Sequence, residues 1–152
     1  MFWRNDLIDF VVNAEIIEYD VKAGNASISK EYKLLPDEIT DSWLAMDGKQ
    51  RKIACGNMQR DDQDYAMKLE ASFNDAVDKF ITLNNLDRDS DIIAIKRDAV
   101  FVLNKTIKHE WTGDHVHFRP KERYHAYLYL KTKDKQEYEF YFERNGNIEI
   151  KG

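Results

Sequence analysis

The hydrophobic period changes once along this chain, and that change restricts the fold more than any other feature. Tyr65, Leu69, Phe73, Val77 and Phe80 recur at helical spacing, with Ala66, Ala76 and Ile81 widening the stripe. Asp61 and Asp62 open this segment and complement the helix dipole. After Asp87-Arg-Asp-Ser90 the pattern becomes extended: Ile92, Ile93 and Ile95, then Ala99, Val100, Phe101, Val102 and Leu103. Strand-like stretches follow at 106–111, 115–118, 123–131, 137–142 and 148–150, with Asn145-Gly146 as a hairpin signal. Helices first and strands afterwards predict an α+β domain, an antiparallel sheet with helices packed on one face.

The front of the chain supplies the rest of the order. Asn5 reads as the cap of a short helix bearing Leu7, Phe10, Val11 and Ala14. Residues 15–21 are β-formers, and the small residues 23–27 suit a close turn. A helix over 28–35 should stop at Pro36. A second begins near Asp37 or Thr40 and breaks at Asp47-Gly48, and a third covers 49–60 with a positive side. At 152 residues the expectation is one domain, with 1–103 as strand, helices and hairpin and 104–152 as its strand-rich extension. No apolar run approaches the roughly 20 residues of a membrane span, so no membrane association is expected. The charged start argues against a secretory signal. Cys55, the single cysteine, excludes an internal disulfide, reads as a buried inert thiol and fits a cytoplasmic setting.

Two acidic residues carry the functional reading. Asp20 ends an apolar strand directly before the small-residue turn, and Asp98 lies where two apolar strands meet. Strand-borne carboxylates brought together hold hard cations through oxygen, the arrangement that two-metal phosphoryl transfer requires. Either residue is also an ordinary turn former, Asp20 as a helix-capping residue and Asp98 as a hairpin residue. Lys96 and Arg97 beside Asp98 either contact phosphate or neutralise the acid. Net charge is −5, yet residues 96–135 hold ten Lys/Arg against five Asp/Glu. That asymmetry suits one face that meets phosphate, or a solvated sheet face.

The stretch Asp20-Val-Lys-Ala23-Gly-Asn25-Ala-Ser27-Ile28 resembles the first catalytic motif of right-handed palm DNA polymerases of the family B kind. There the motif runs Asp, apolar, any, small, apolar, Tyr, Pro, Ser, apolar. Asp20, Val21, Ala23, Ser27 and Ile28 match, whereas Asn25 stands at the Tyr that screens the sugar and Ala26 at the Pro. Ala94-Ile-Lys-Arg-Asp98-Ala-Val-Phe is similar to the strand–turn–strand of the second catalytic motif, without its usual Asp-Thr-Asp core. The resemblance implies a palm-like strand–helices–hairpin order and a metal-dependent nucleotidyltransferase, or a reduced remnant of one. It implies Asp20 and Asp98 as catalytic and metal-binding residues for Mg2+ or Mn2+. It also implies Asn25, Lys49, Arg51, Lys52, Lys96 and Arg97 toward the nucleotide, and a DNA template–primer as partner.

Other readings rest on the residues alone. Arg119, Lys121 and Arg123 interleave with a strand-rich region carrying Tyr124, Tyr127, Tyr129, Tyr138, Phe140, Tyr141 and Phe142. These form either a nucleic-acid-binding surface or the core and rim of a sheet. His115-Val-His117 has a metal-ligand spacing but lacks a third ligand in sequence, so exposed strand histidines are the competing reading. Small size and an acidic body resemble small phage proteins. They suit a non-enzymatic factor in the host cytoplasm that binds and inhibits or redirects a host or defence protein, with a host or phage protein as partner.

Overall fold

Helix formation begins with caps that the sequence supplies. The computed structural model describes residues 2–151. Asp62 caps α4 (Gln63–Leu83), its carboxylate accepting from Tyr65 N at 3.0 Å, and Asp47 caps α3 (Gly48–Asp61), accepting from Gln50 N at 2.8 Å. The α4 stripe of Tyr65, Leu69, Phe73, Ala76, Val77 and Phe80 is buried. Against it pack α1 (Gly24–Glu31) and α3, with α2 (Asp37–Ala45) against α1. The Tyr65 hydroxyl shares a 2.6 Å hydrogen bond with Ser29 of α1.

These helices cover one face of a five-stranded antiparallel sheet. Its strand order is β1 (Phe2–Arg4), β4 (Ile92–Lys96), β5 (Ala99–Leu103), β3 (Ile16–Val21) and β6 (Phe118–Tyr124). Ile17, Tyr19, Val21, Val100 and Val102 face the helices, while Ile16, Phe101 and Leu103 face the other way. A second antiparallel sheet covers that other face: β2 (Phe10–Val11), β7 (Ala126–Lys131), β8 (Glu137–Phe142) and β9 (Ile148–Lys151). Burial on both faces explains why β4 and β5 read as unbroken apolar runs rather than as alternation. The molecule is therefore α+β in three layers, and the strand-rich half forms most of a second sheet. No helix among the described residues is long and apolar enough to cross a membrane.

Several expectations change in the structure. Residues 5–14 form no helix. Asn5 is buried and its amide donates to the carbonyls of Arg88, Asp89 and Ile92 at 2.9–3.0 Å. An Asn suited to capping is equally suited to a turn, and here the long-range acceptors decide. The helix expected over 28–35 starts at Gly24 and ends at Glu31. The strand expected over 106–111 is irregular, and of 115–118 only a bridge from Trp111 to His117 and the first residue of β6 are strand-like. Asn84 holds this loop, its side chain accepting from Lys108 N and His109 N and donating to His109 O. The strand expected over 123–131 divides at His125, whose backbone bonds Ala14 and Phe142 as the chain passes between sheets.

Candidate functional site

β3 is bonded to β5 on one side and to β6 on the other, and Asp20, near the end of β3, lies opposite Arg119 of β6. Asp98 occupies the two-residue turn of the β4–β5 hairpin. The preceding Arg97 has φ 62°, a conformation normally left to Gly. Ala23, at the start of α1, is also left-handed at φ 51°, ψ 49°. Each such non-glycine residue costs on the order of 1 kcal/mol or more, and such strain gathers where a site requires it.

The turn from β3 to α1 folds closely around the Asp98 carboxylate. Val21 N donates to Asp98 Oδ2 at 3.2 Å. A Cβ at Gly24 would lie 3.1 Å from that oxygen and 3.4 Å from the Phe73 ring, so the position has little room for a side chain. The Asp98 carboxyl titrates above its ordinary value, chiefly through burial and further through the nearby charge of Asp20. The Val21 amide and Arg97 act in the opposite sense and are outweighed.

Asp20 is only 17% exposed in its side chain. Its Oδ1 is buried without a hydrogen-bond partner, 3.8 Å from Arg119 Nε, and its Oδ2 lies 3.6 Å from Lys121 Nζ. Both separations exceed hydrogen-bond length, so the carboxylate is balanced in charge but not saturated in bonding.

Asp20 and Asp98 open onto one cleft of about 370 Å³, with Asn25 on its wall and Arg51, Lys52, Arg97, Arg119 and Lys121 around it. Five cations against two carboxylates make the cleft positive although the chain is acidic. Arg51 donates to Met46 O at 3.2 Å; Arg97 donates to Gln59 Oε1 at 3.2 Å and lies over the Phe73 ring at 4.6 Å. Arg97 is thus held to the wall rather than folded across the acids. Cys55 and Phe73 complete the lining, and burial pushes the Cys55 thiol up to about 11, which keeps it protonated and inert at neutral pH.

Three residues expected with the nucleotide or nucleic acid lie elsewhere. Lys96 projects to the second sheet and pairs with buried Glu139, because alternation along β4 turns it away from the helices. Lys49 is exposed on α3 outside the cleft lining, and Arg123 reaches Glu15 at 3.4 Å. His117 bonds Glu110 at 2.8 Å and stacks on Trp111 at 4.5 Å, while His115 donates its backbone N–H to Glu31. Among the described residues no group of three or more His, Cys, Asp and Glu gathers as a metal site.

Sequence reasoning passed over Glu18, and placed Gly24 in a close turn without saying what approaches it. Glu18 is buried two residues before Asp20, and its carboxyl is raised first by burial, with the charges of Asp20 and Glu122 adding. Its signal was the strand period of two, hidden by the apolar neighbours. For Gly24 the small-residue turn was the signal, and the approach of Asp98 from 74 residues downstream is what the structure adds.

Comparison with known proteins adds one finding. The family model described as Bacteriophage PBS1 gene 130 protein matches residues 1–152. Neither the curated proteins nor the solved structures contain a match.

Proposed function

Since the chain belongs to the bacteriophage PBS1 gene 130 protein family, we propose that it is a phage nucleotide-binding protein of palm-like plan. On this reading it is a metal-dependent nucleotidyltransferase or a reduced remnant of one, acting in the host cytoplasm. The observation that carries the reading is convergence: Asp20, Asp98, Asn25, Arg51, Lys52, Arg97, Arg119 and Lys121 line a single cleft although they come from four different elements and a turn. The strand order supports it as well. The strand bearing Asp20 is bonded directly to the hairpin bearing Asp98, and the intervening helices pack on one face.

The residues fit a divalent cation. Mg2+ is commonly held by one or two carboxylates, with water and substrate phosphates completing six oxygens. Asp20, whose Oδ1 is buried without a hydrogen-bond partner, and the half-buried Asp98 would be the two residues that hold it. The chemistry such a cation would supply there is neutralisation of charge on a transferring phosphoryl group. Arg51, Lys52 and Arg97 bind phosphate oxygens from the helical side, and Arg119 and Lys121 do so from β6. Lys96 and Arg123 have no part in this.

The test exploits a change of sign. In the presence of Mg2+, Asp20→Asn should weaken nucleoside triphosphate binding by about tenfold, because a carboxylate that would hold the cation is lost. In EDTA the same variant should bind the triphosphate more tightly than wild type, because a repelling carboxylate is gone. Isothermal titration calorimetry in both buffers reads the pair. Equal effects in the two buffers, or no binding in either, would sink the proposal. A primer-extension assay then separates a working transferase from a remnant.

A further inference from the structure

The outward face of the second sheet is apolar from edge to edge. The registers place Phe10 of β2 opposite Leu128 of β7, Leu128 opposite Phe140 of β8, and Phe140 opposite Ile150 of β9. Leu130 opposite Tyr138 and Phe142 opposite Ile148 extend this row to both sides. The opposite side chains of these strands, Tyr127, Tyr141 and Glu139, are buried against the five-stranded sheet. A sheet with one wet face normally shows polar residues there. Here β7 and β8 carry large apolar side chains on both faces, the pattern of strands covered twice, and no segment among the described residues covers the outer one.

The exposed surface is large. Phe10 is 62% exposed, Leu130 48%, Tyr138 38%, Ile148 52% and Ile150 61%. Together these five leave on the order of 500 Å² of apolar surface in water, as much as the largest patch on a typical monomer.

We propose that this face binds a second copy of the chain, forming a two-fold dimer in which the two outer sheets stack. The area suffices: two such patches remove on the order of 1,000 Å² before the partly exposed Leu128, Phe140 and Phe142 are counted, the size at which specific interfaces begin. The rim is suited to a copy of itself. Lys133, Asp134 and Lys135 lie in the turn at one end of β8, and Glu143 and Arg144 in the turn at the other, so each end carries both signs. Within the patch there is no charged side chain through which a differently charged partner would be selected. Stacked sheet faces lie about 10 Å apart with strands roughly aligned, so flat rows of Leu, Ile and Phe interdigitate.

Light scattering on the full chain, over a series reaching about 100 μM, reads the mass down to a low-micromolar Kd. Twice the single-chain mass is expected, with monomer for the paired substitution Ile148→Lys and Ile150→Lys. Should that variant lose its circular-dichroism spectrum, Ile148→Thr with Ile150→Thr keeps β-branched residues on the strand and replaces it. On wild-type protein alone, fluorescence of a dye that binds apolar surface should rise upon dilution as the face is uncovered. A monomer across the whole series overturns the proposal, as does a dimer that survives the threonine pair. A monomer that binds phosphatidylcholine vesicles through this face overturns it too, in favour of a lipid surface.

Discussion

Asp98 concentrates the physical tension of this protein in a single side chain. It is half-buried near Asp20 and beside the first turn of α1, with one amide hydrogen bond from Val21, and its carboxyl titrates above the ordinary range. A raised carboxyl binds its proton more firmly in the folded state. Its contribution to stability is therefore full below the unfolded value and is lost as pH rises through the folded one. Asp98→Asn keeps an oxygen for Val21 N and carries no charge. It should melt several degrees above wild type at neutral pH, with the difference vanishing in acid below the ordinary carboxylate range; scanning fluorimetry across pH measures this. Asp20→Asn should narrow the same difference, because it removes the like charge that helps raise Asp98. A gain in stability from deleting a residue marks a group kept for something other than folding.

At the scale of elements, the irregular loop over 104–117 depends on one residue at the end of α4. Asn84 caps the helix and its side chain makes hydrogen bonds to Phe80 O, Lys108 N, His109 N and His109 O, each at 2.8–2.9 Å. Asn84→Ala leaves those loop groups without partners and should cost about 2–3 kcal/mol. Denaturant unfolding reads the loss, and hydrogen exchange should rise at Lys108 and His109 more than in the body of α4. Exchange that rises evenly along α4 would mean that Asn84 supports the helix rather than the loop. This loop was hidden from pattern reading because Ile107 and Trp111 are apolar and β-forming, yet the carbonyls and amides around them bond to a helix end.

Across the whole molecule, the two sheets are joined by polar groups as well as by the aromatic core. Lys96 of β4 pairs with Glu139 of β8, and the Tyr127 hydroxyl donates to the same carboxylate at 2.9 Å. Removing one partner of a buried pair strands the other. Lys96→Met should destabilise by about 3 kcal/mol, toward the low end for such losses since Tyr127 still donates to Glu139. It should leave triphosphate affinity unchanged, since Lys96 is on the far face from the cleft. Urea unfolding and calorimetry on the same variant check both halves, and a loss of affinity without a loss of stability would return Lys96 to the cleft.

Sequence alone determined several local elements and where Asp20 and Asp98 stand in them. The stripe from Tyr65 to Ile81, the break at Asp47-Gly48, the acidic opening at Asp61-Asp62, the hairpin at Arg97-Asp98 and the placing of Asp20 at a strand end all follow from period and turn chemistry, which act over a few residues. Tertiary structure alone decided which charges share the cleft. Lys96 and Arg97 are adjacent, yet the pleat and the turn send one to Glu139 and the other to Phe73. Arg51 and Arg119 are far apart in the chain, yet both line the same cavity. The division into two sheets at His125, and with it the apolar outer face, also lay beyond local signals. Strands with both faces covered and strands with one face uncovered read alike until the layers are stacked, because periodicity records which side chains avoid water and not what covers them.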